Sequence, residues 1–431
     1  MSFQHEPLDL SKAQIRLLLL DPPGDGAITA RVEHFDFDST CPLYEAISYT
    51  WGQDIDSCTI QVAGQQMAVG DNLYRLLNVL RNHFSRLTGW LWIDQICIDQ
   101  TNPNERNHQV RMMHQIYTRA SGVVAWLGDS DENSDMAMKF IAGTIKIYPT
   151  LSVGVPKDKT IQLAIISLVQ RPYWSRLWIL QEVIAATKVD LMCGQRRIDW
   201  ASLERFFFHY RQFYINHYPA FKKAHTIVQE RSASTPRTML PILQRFTDWQ
   251  CKDLRDKIYG LVGLIPYDID FVIDYQKPVK TVLIDVLLAL HEDLTPREGY
   301  RFNKMDILWN LVNSALQLRR NLAVFSISEV QLLSEVLQNC PDLWDEAVMF
   351  DMSPSSTTTT VCEALLSNDF LRDRIVDEDS LAEGLSRRHW FFDEEADEEA
   401  DEEADEEVDE EVDEKVEEMM AELFEKVWRS G

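Results

Sequence analysis

Two hydrophobic periods alternate through the first two hundred residues, one of about two and one of about 3.6. "IRLLLL" and "AITARVEHF" flank the turn "DPPGDG" and predict a hairpin. "LYEAISYTWG" reads as a short strand ended by Gly52, and "CTIQVAGQQMAV" as a second hairpin turning at Gly64. In "NLYRLLNVLRNHF" the spacing of Leu73, Leu76, Leu77 and Leu80 predicts a helix, with Asp71 or Asn72 to cap it. "GWLWIDQICID" is an apolar run ending in acids, the pattern of a buried parallel strand with a polar C-terminal end. Val110, Met113, Ile116, Tyr117 and Ala120 form the stripe of the next helix, and "GVVAWLG" is another buried strand. Residues 129–170 read as a helical insertion. Residues 171–186 predict a further helix, and "KVDLMCG" the strand after it.

This alternation is that of an α/β fold, an open, mostly parallel, flavodoxin-like sheet, followed by an α-helical C-terminal region. Ligands of such sheets sit beyond the C-terminal strand ends. Ser48–Gly52, Asp94–Gln100 and the start of the 171–186 helix should therefore meet at one edge. The expected organisation is an α/β domain over residues 1–200, containing the hairpin and the insertion, and a helical region over 201–390. An acidic low-complexity tail over 391–431 repeats D-E-E-A/V and ends in an amphipathic stripe from Val412 to Val427.

The formal charge of −27 is concentrated in that tail. A net −18 after Phe392 leaves −9 for the first 392 residues, an ordinary acidic balance. With no clustered basic face, nucleic acid is not an expected partner. The seven cysteines are scattered, without a C-x-x-C pair or zinc-finger spacing, which predicts reduced thiols and no metal centre. No apolar run approaches a membrane span. These features predict a cytoplasmic protein.

The densest chemistry lies in "RPYWSRLWILQEV", residues 171–183. On one continuous helix Glu182 would share a face with Trp178, and Ser175 would lie nearly in line. Either Glu182 works in a cleft or it pairs with Arg171 or Arg176 to anchor the helix. Asp94, an acid within "LWIDQICI", needs a partner if buried. Asp99 reads as a cap of the following loop. Cys97 with His108 or His114 would make a nucleophile pair only if it left its apolar strand. Gly52 is either a turn residue or a place for close ligand approach. "GDGA" (24–27) and "GVPKDKT" (154–160) are not dinucleotide or Walker loops.

Three blocks resemble the fungal heterokaryon-incompatibility (HET) domain: "YEAISYTWG" (44–52), "LWIDQICIDQTNPNERNHQVRMMHQIYTRASGVVAWLG" (91–128) and "RPYWSRLWILQEVIAATKVDLMCG" (171–194). "IRLLLLDP", "DLRDKIYGLVGL" and "IDYQKPV" extend the likeness over about residues 15–290. The resemblance implies self/non-self recognition with programmed cell death as output. It also implies a relation to Toll/interleukin-1 receptor (TIR) domains, some of which cleave NAD with a helix glutamate set, as here, four residues after a tryptophan. This sequence departs from that pattern by an extra residue between Ser175 and Trp178, by Gln181, and by the long insertion. On this likeness Glu182 is the catalytic carboxylate, NAD is the substrate rather than a resident cofactor, and Ser48, Trp51, Gly52, Asp94, Arg176 and Trp178 line its site. Trp178 or Trp51 would stack on a flat base, and Arg171 and Arg176 would hold the pyrophosphate. The alternative is a non-enzymatic signalling module acting by self-assembly and partner recruitment. Homo-oligomerisation through the HET domain fits both, and the acidic tail would meet an unidentified protein partner.

Overall fold

The computed structural model describes residues 2–23, 26–52, 57–84, 89–143, 158–217, 219–233, 238–265, 271–294, 304–343, 347 and 358–367. The tail, with its amphipathic end, lies outside these. So does most of the "SPSSTTTT" loop.

Among the described residues nine strands form one sheet: β1 Gln14–Leu20, β2 Thr29–Asp36, β3 Tyr44–Tyr49, β4 Cys58–Val62, β5 Gln65–Val69, β6 Trp90–Trp92, β7 Gly122–Trp126, β8 Val189–Cys193 and β9 Arg196–Asp199. Their spatial order is β5-β4-β2-β1-β6-β3-β7-β8-β9. Both expected hairpins form, β1/β2 and β4/β5, the second turning at Gly64 with φ +78°. The pairings β3/β6, β3/β7, β7/β8 and β2/β4 are parallel, while β1/β2, β1/β6, β4/β5 and β8/β9 are antiparallel. The expectation of a mostly parallel sheet is therefore corrected to a mixed one. The parallel block is a four-strand centre; the two-residue turns of β4/β5 and β8/β9 can join only antiparallel neighbours, and β1 adds antiparallel pairings to β2 and β6 on one flank. Counted along the chain, the central parallel strands β3, β6, β7 and β8 lie in the order 2-1-3-4. The strand order thus reverses at β3, the topological switch point of an open α/β sheet.

Helices α1 Asp71–His83, α2 Asp94–Cys97, α3 Pro103–Arg119, α4 Glu132–Gly143, α5 Lys159–Val169 and α6 Ile179–Ile184 connect these strands. The stripe read from the sequence is the buried face of α1. Neither expected cap serves it: Gly70 occupies the N-cap without a side-chain bond. Asn72 is drawn away instead, donating from Nδ2 to Thr50 O (2.6 Å) and accepting from Trp126 Nε1 (2.8 Å). It thereby pins the ends of β3 and β7 together. The insertion is helical where described, as α4 and α5. After the sheet come α7 Trp200–His217, α8 Pro219–Ser232, α9 Met239–Phe246, α10 Asp256–Val262, α11 Val279–Leu294, α12 Lys304–Asn321 and α13 Glu329–Gln338, with a further helix at Thr358–Ser367.

One buried ion pair ties the N-terminal hairpin to α3. Arg16 holds Glu105 through Nη1 at 2.5 Å and Nη2 at 2.9 Å, and also donates to Cys97 O. Both side chains are nearly inaccessible, and Glu105 accepts a further bond from Asp99 N (2.7 Å). No described helix is long and apolar enough to cross a membrane.

Candidate functional site at the C-terminal end of β3

Two expected elements differ locally. The strand "GWLWIDQICID" stops at Trp92, and Asp94–Cys97 close a helical turn, with Cys97 N–H donating to Ile93 O (2.7 Å). Cys97 lies in that turn rather than in a strand. Burial pushes its thiol up to about 12, so it is no nucleophile at neutral pH. The helix expected over 171–186 is also broken. Pro172–Ser175 form a 3₁₀ turn, Arg176 is extended (φ −73°, ψ 135°), and α6 starts only at Ile179. The break is made by backbone pairing with residue 250: Leu177 N–H donates to Gln250 O (2.8 Å) and Gln250 N–H to Ser175 O (2.9 Å). Ser175 is consequently not aligned with Glu182. Its hydroxyl reaches Pro172 O and Gln250 Oε1.

Glu182 lies in the first turn of α6, with 1% of its surface exposed. Ser48 of β3 donates to its Oε2 at 2.5 Å and shares a 2.8 Å bond with the Tyr173 hydroxyl. Arg176 Nη1 stands 3.8 Å from the same oxygen and donates to Tyr49 O. Burial raises the Glu182 carboxyl to about 7, against the opposing pull of Arg176. Burial works against the Arg176 charge as well, yet Glu182 and Asp94 hold it above its ordinary value.

Asp94 sits beside this group at the first position of α2. Its Oδ2 accepts from Trp51 Nε1 and its Oδ1 from Gln95 N, both at 2.8 Å. Burial lifts its carboxyl as well, with Arg176 opposing. Gln95 accepts from the Tyr49 hydroxyl (2.9 Å). Ser48, Asp94, Arg176 and Glu182 thus gather at the C-terminal end of β3, with Trp51 fixed against Asp94. Gly52 follows with φ +81° and open space where a side chain would be, so the turn demands a glycine whether or not a ligand approaches.

Trp178 turns to a different partner. Its indole donates to Asp256 Oδ2 (3.1 Å) on α10, and Asp256 Oδ1 accepts from the Tyr275 hydroxyl (2.5 Å). Trp178 and Glu182 therefore share a helical turn but no site-facing contact in the structure. Arg171 is committed elsewhere too, to Leu127 O (2.9 Å), Asp129 O (2.8 Å) and Asp131. Asp99 holds Thr101 by backbone and hydroxyl, the loop cap expected of it.

Residues that pattern reading passed over complete the setting. Tyr173 reaches Glu182 through Ser48. Gly260 and Gly263 lie flush on the 177–181 segment, where an added Cβ would come within 2.8 Å of Leu177 Cδ2 and 2.7 Å of Gln181 Nε2, respectively. The only advance sign was the glycine spacing of three in "DKIYGLVGL". Among the described residues no cluster of three metal-ligating side chains occurs. All seven cysteines are free.

Residues 44–182 match the family model described as Heterokaryon incompatibility protein (HET). The chain is similar to heterokaryon incompatibility protein 6, OR allele, of Neurospora crassa, at 37% identity over 112 residues. That stretch is 23% of this chain and 16% of the relative, so the match spans about a sixth of that protein's length. No solved structure matches the chain.

Proposed function

With residues 44–182 forming a HET domain, we propose that this chain acts in heterokaryon incompatibility, answering a non-self signal with cell death. Its effector centre, in this proposal, is the group around Glu182, hydrolysing NAD. Water attacks C1′ of the ribose as the bond to the nicotinamide nitrogen breaks. That nitrogen keeps the electron pair and leaves neutral, and the products are ADP-ribose, nicotinamide and a proton. Positive charge develops on the ribose, so a nearby carboxylate lowers the barrier without a strong general acid. Ser48 orients Glu182, while Asp94 and Trp51 offer a hydroxyl-binding acid and a flat face beside it.

One observation carries this reading: a carboxyl with a pKa near 7 buried at the strand-order reversal, within reach of a serine hydroxyl and a guanidinium. The strand order also supports the TIR-like likeness. Because Glu182 is 1% exposed, the reaction requires Arg176 to leave Tyr49 O and admit the ribose, a rearrangement that assembly of HET domains would drive. In this proposal the setting is cytoplasmic, and the acidic tail meets an unidentified protein partner.

NAD consumption by concentrated full-length protein, wild type against Glu182→Gln, tests the proposal together with killing in cells. Turnover lost in the variant is the expected result. Absent turnover in a wild type that still kills would overturn it. The burial of Glu182 beside Arg176 favours the second reading, a non-enzymatic module whose polar centre holds α6 on the sheet and whose output is self-assembly and partner recruitment.

A further inference from the structure

The motif E-R-x-x-Q-V at the start of α3 gives nearly every side chain a structural task. Glu105 closes the ion pair with Arg16, Gln109 donates to Gln14 O (2.8 Å), and Val110 is buried. Arg106 is the exception. Its guanidinium lies 3.9 Å over the centre of the Tyr275 ring. It has no side-chain hydrogen bond or ion pair with another described residue, and its buried Nε has no partner. The arginines first expected to hold a phosphate are both engaged, Arg171 by the 127–131 loop and Arg176 by Tyr49 O and Glu182.

Arg106 is linked to Trp178 through two intervening side chains. The ring it covers belongs to Tyr275, whose hydroxyl bonds Asp256, which in turn holds the half-buried indole of Trp178. Asp253 and Asp256 both feel its charge, but Asp253 is already bound through two oxygens by Arg255, and both Asp256 oxygens are taken. A guanidinium centred over an aromatic ring is braced by it, and its pair of terminal nitrogens suits a phosphate's paired oxygens.

We infer that Arg106, braced on Tyr275, is a binding residue for the phosphate of a nucleotide, with Trp178 as the neighbouring flat surface. This rests on reading the Glu182 group as a site for a dinucleotide, but it does not require hydrolysis.

Full-length protein titrated calorimetrically at low salt with ADP-ribose, and separately with inorganic pyrophosphate, provides the test. The expected result is that wild type binds both, Arg106→Gln weakens both about 10–100-fold, the range of a lost charged hydrogen-bond pair, and Arg106→Lys falls between. A folded Arg106→Gln protein with unchanged affinity would overturn the inference. So would a wild type that binds neither probe at millimolar concentration, or pyrophosphate alone. Should Arg106→Gln not fold, unchanged affinity in Arg106→Lys, which keeps the charge but loses the planar fork, would overturn it equally. Binding through Arg106 without NAD turnover would remove only the glycohydrolase reading.

Discussion

Ser48 Oγ lies 2.5 Å from Glu182 Oε2, and this bond joins the central strand to the helix that carries the acid. An ionised carboxylate can only accept, so Ser48 donates to it and the Tyr173 hydroxyl must supply the proton of the 2.8 Å bond behind it. The three side chains form a directed row.

Removing its middle member should have two effects. Ser48→Ala leaves a buried carboxylate short of a charge-assisted bond, which costs about 1.5–3 kcal/mol. Because the Ser48 bond lowers the Glu182 pKa, that value should also rise further in the variant. Chemical denaturation at pH 8 reads the first effect, and carboxyl titration by infrared spectroscopy the second.

The pH dependence follows from acids whose folded pKa values are raised. Glu182 moves from 4.5 to about 7 and Asp256 from 3.8 to about 6, each mainly by burial. The folded state binds these protons more tightly than the unfolded chain does. Their contribution is complete below the unfolded values and is lost as pH rises through the folded ones. The share of the stability that these two acids supply should fall between about pH 4 and pH 7. The Glu182 share is on the order of 3 kcal/mol, at about 1.36 kcal/mol per pKa unit. Glu182→Gln should flatten that part of the curve, measured as melting temperature across the range.

The Arg16–Glu105 pair makes a separate prediction. Arg16→Met strands a buried carboxylate and should cost about 3–5 kcal/mol. Adding Glu105→Leu should recover much of that loss, because the unpaired charge goes too. A double-mutant cycle by urea denaturation measures the coupling.

At Gly263 an added methyl group meets Gln181 at 2.7 Å, and Gln181 is itself packed with 1% exposure. Gly263→Ala should therefore cost about 1–3 kcal/mol by forcing α6 away from α10. If the proposed reaction is measurable, NAD turnover should fall by more than the folded fraction does. Comparing the two quantities in one preparation checks this.

Much of this was legible in the chain. The hairpins, the α1 and α3 stripes and the central strands follow from local apolar periodicity, and Gly64 announced its turn. The meeting of Ser48, Asp94 and Arg176 with Glu182 followed from strand-end geometry. Long-range pairing was not legible. Nothing near Arg176 announces that Gln250, more than seventy positions later, will bond to the flanking peptides and break the helix. The antiparallel flank β9 is four residues long, too short for its alternation to stand out. Asp256, Tyr275 and Arg106 each looked like ordinary polar positions on helices or loops, because their meaning lies in partners far along the chain.

The peptide bridge at Gln250 carries a mechanical consequence. The stretch from Ser175 to Glu182 is fastened to residues outside the matched HET segment by main-chain bonds, an indole–carboxylate link and two glycine contacts. It has no freedom of its own. A displacement of the 250–263 stretch must drag Arg176 with it and alter how that guanidinium meets Tyr49 and Glu182. Cutting the chain at the end of the recognised segment would accordingly isolate a fragment whose key acid has lost its footing.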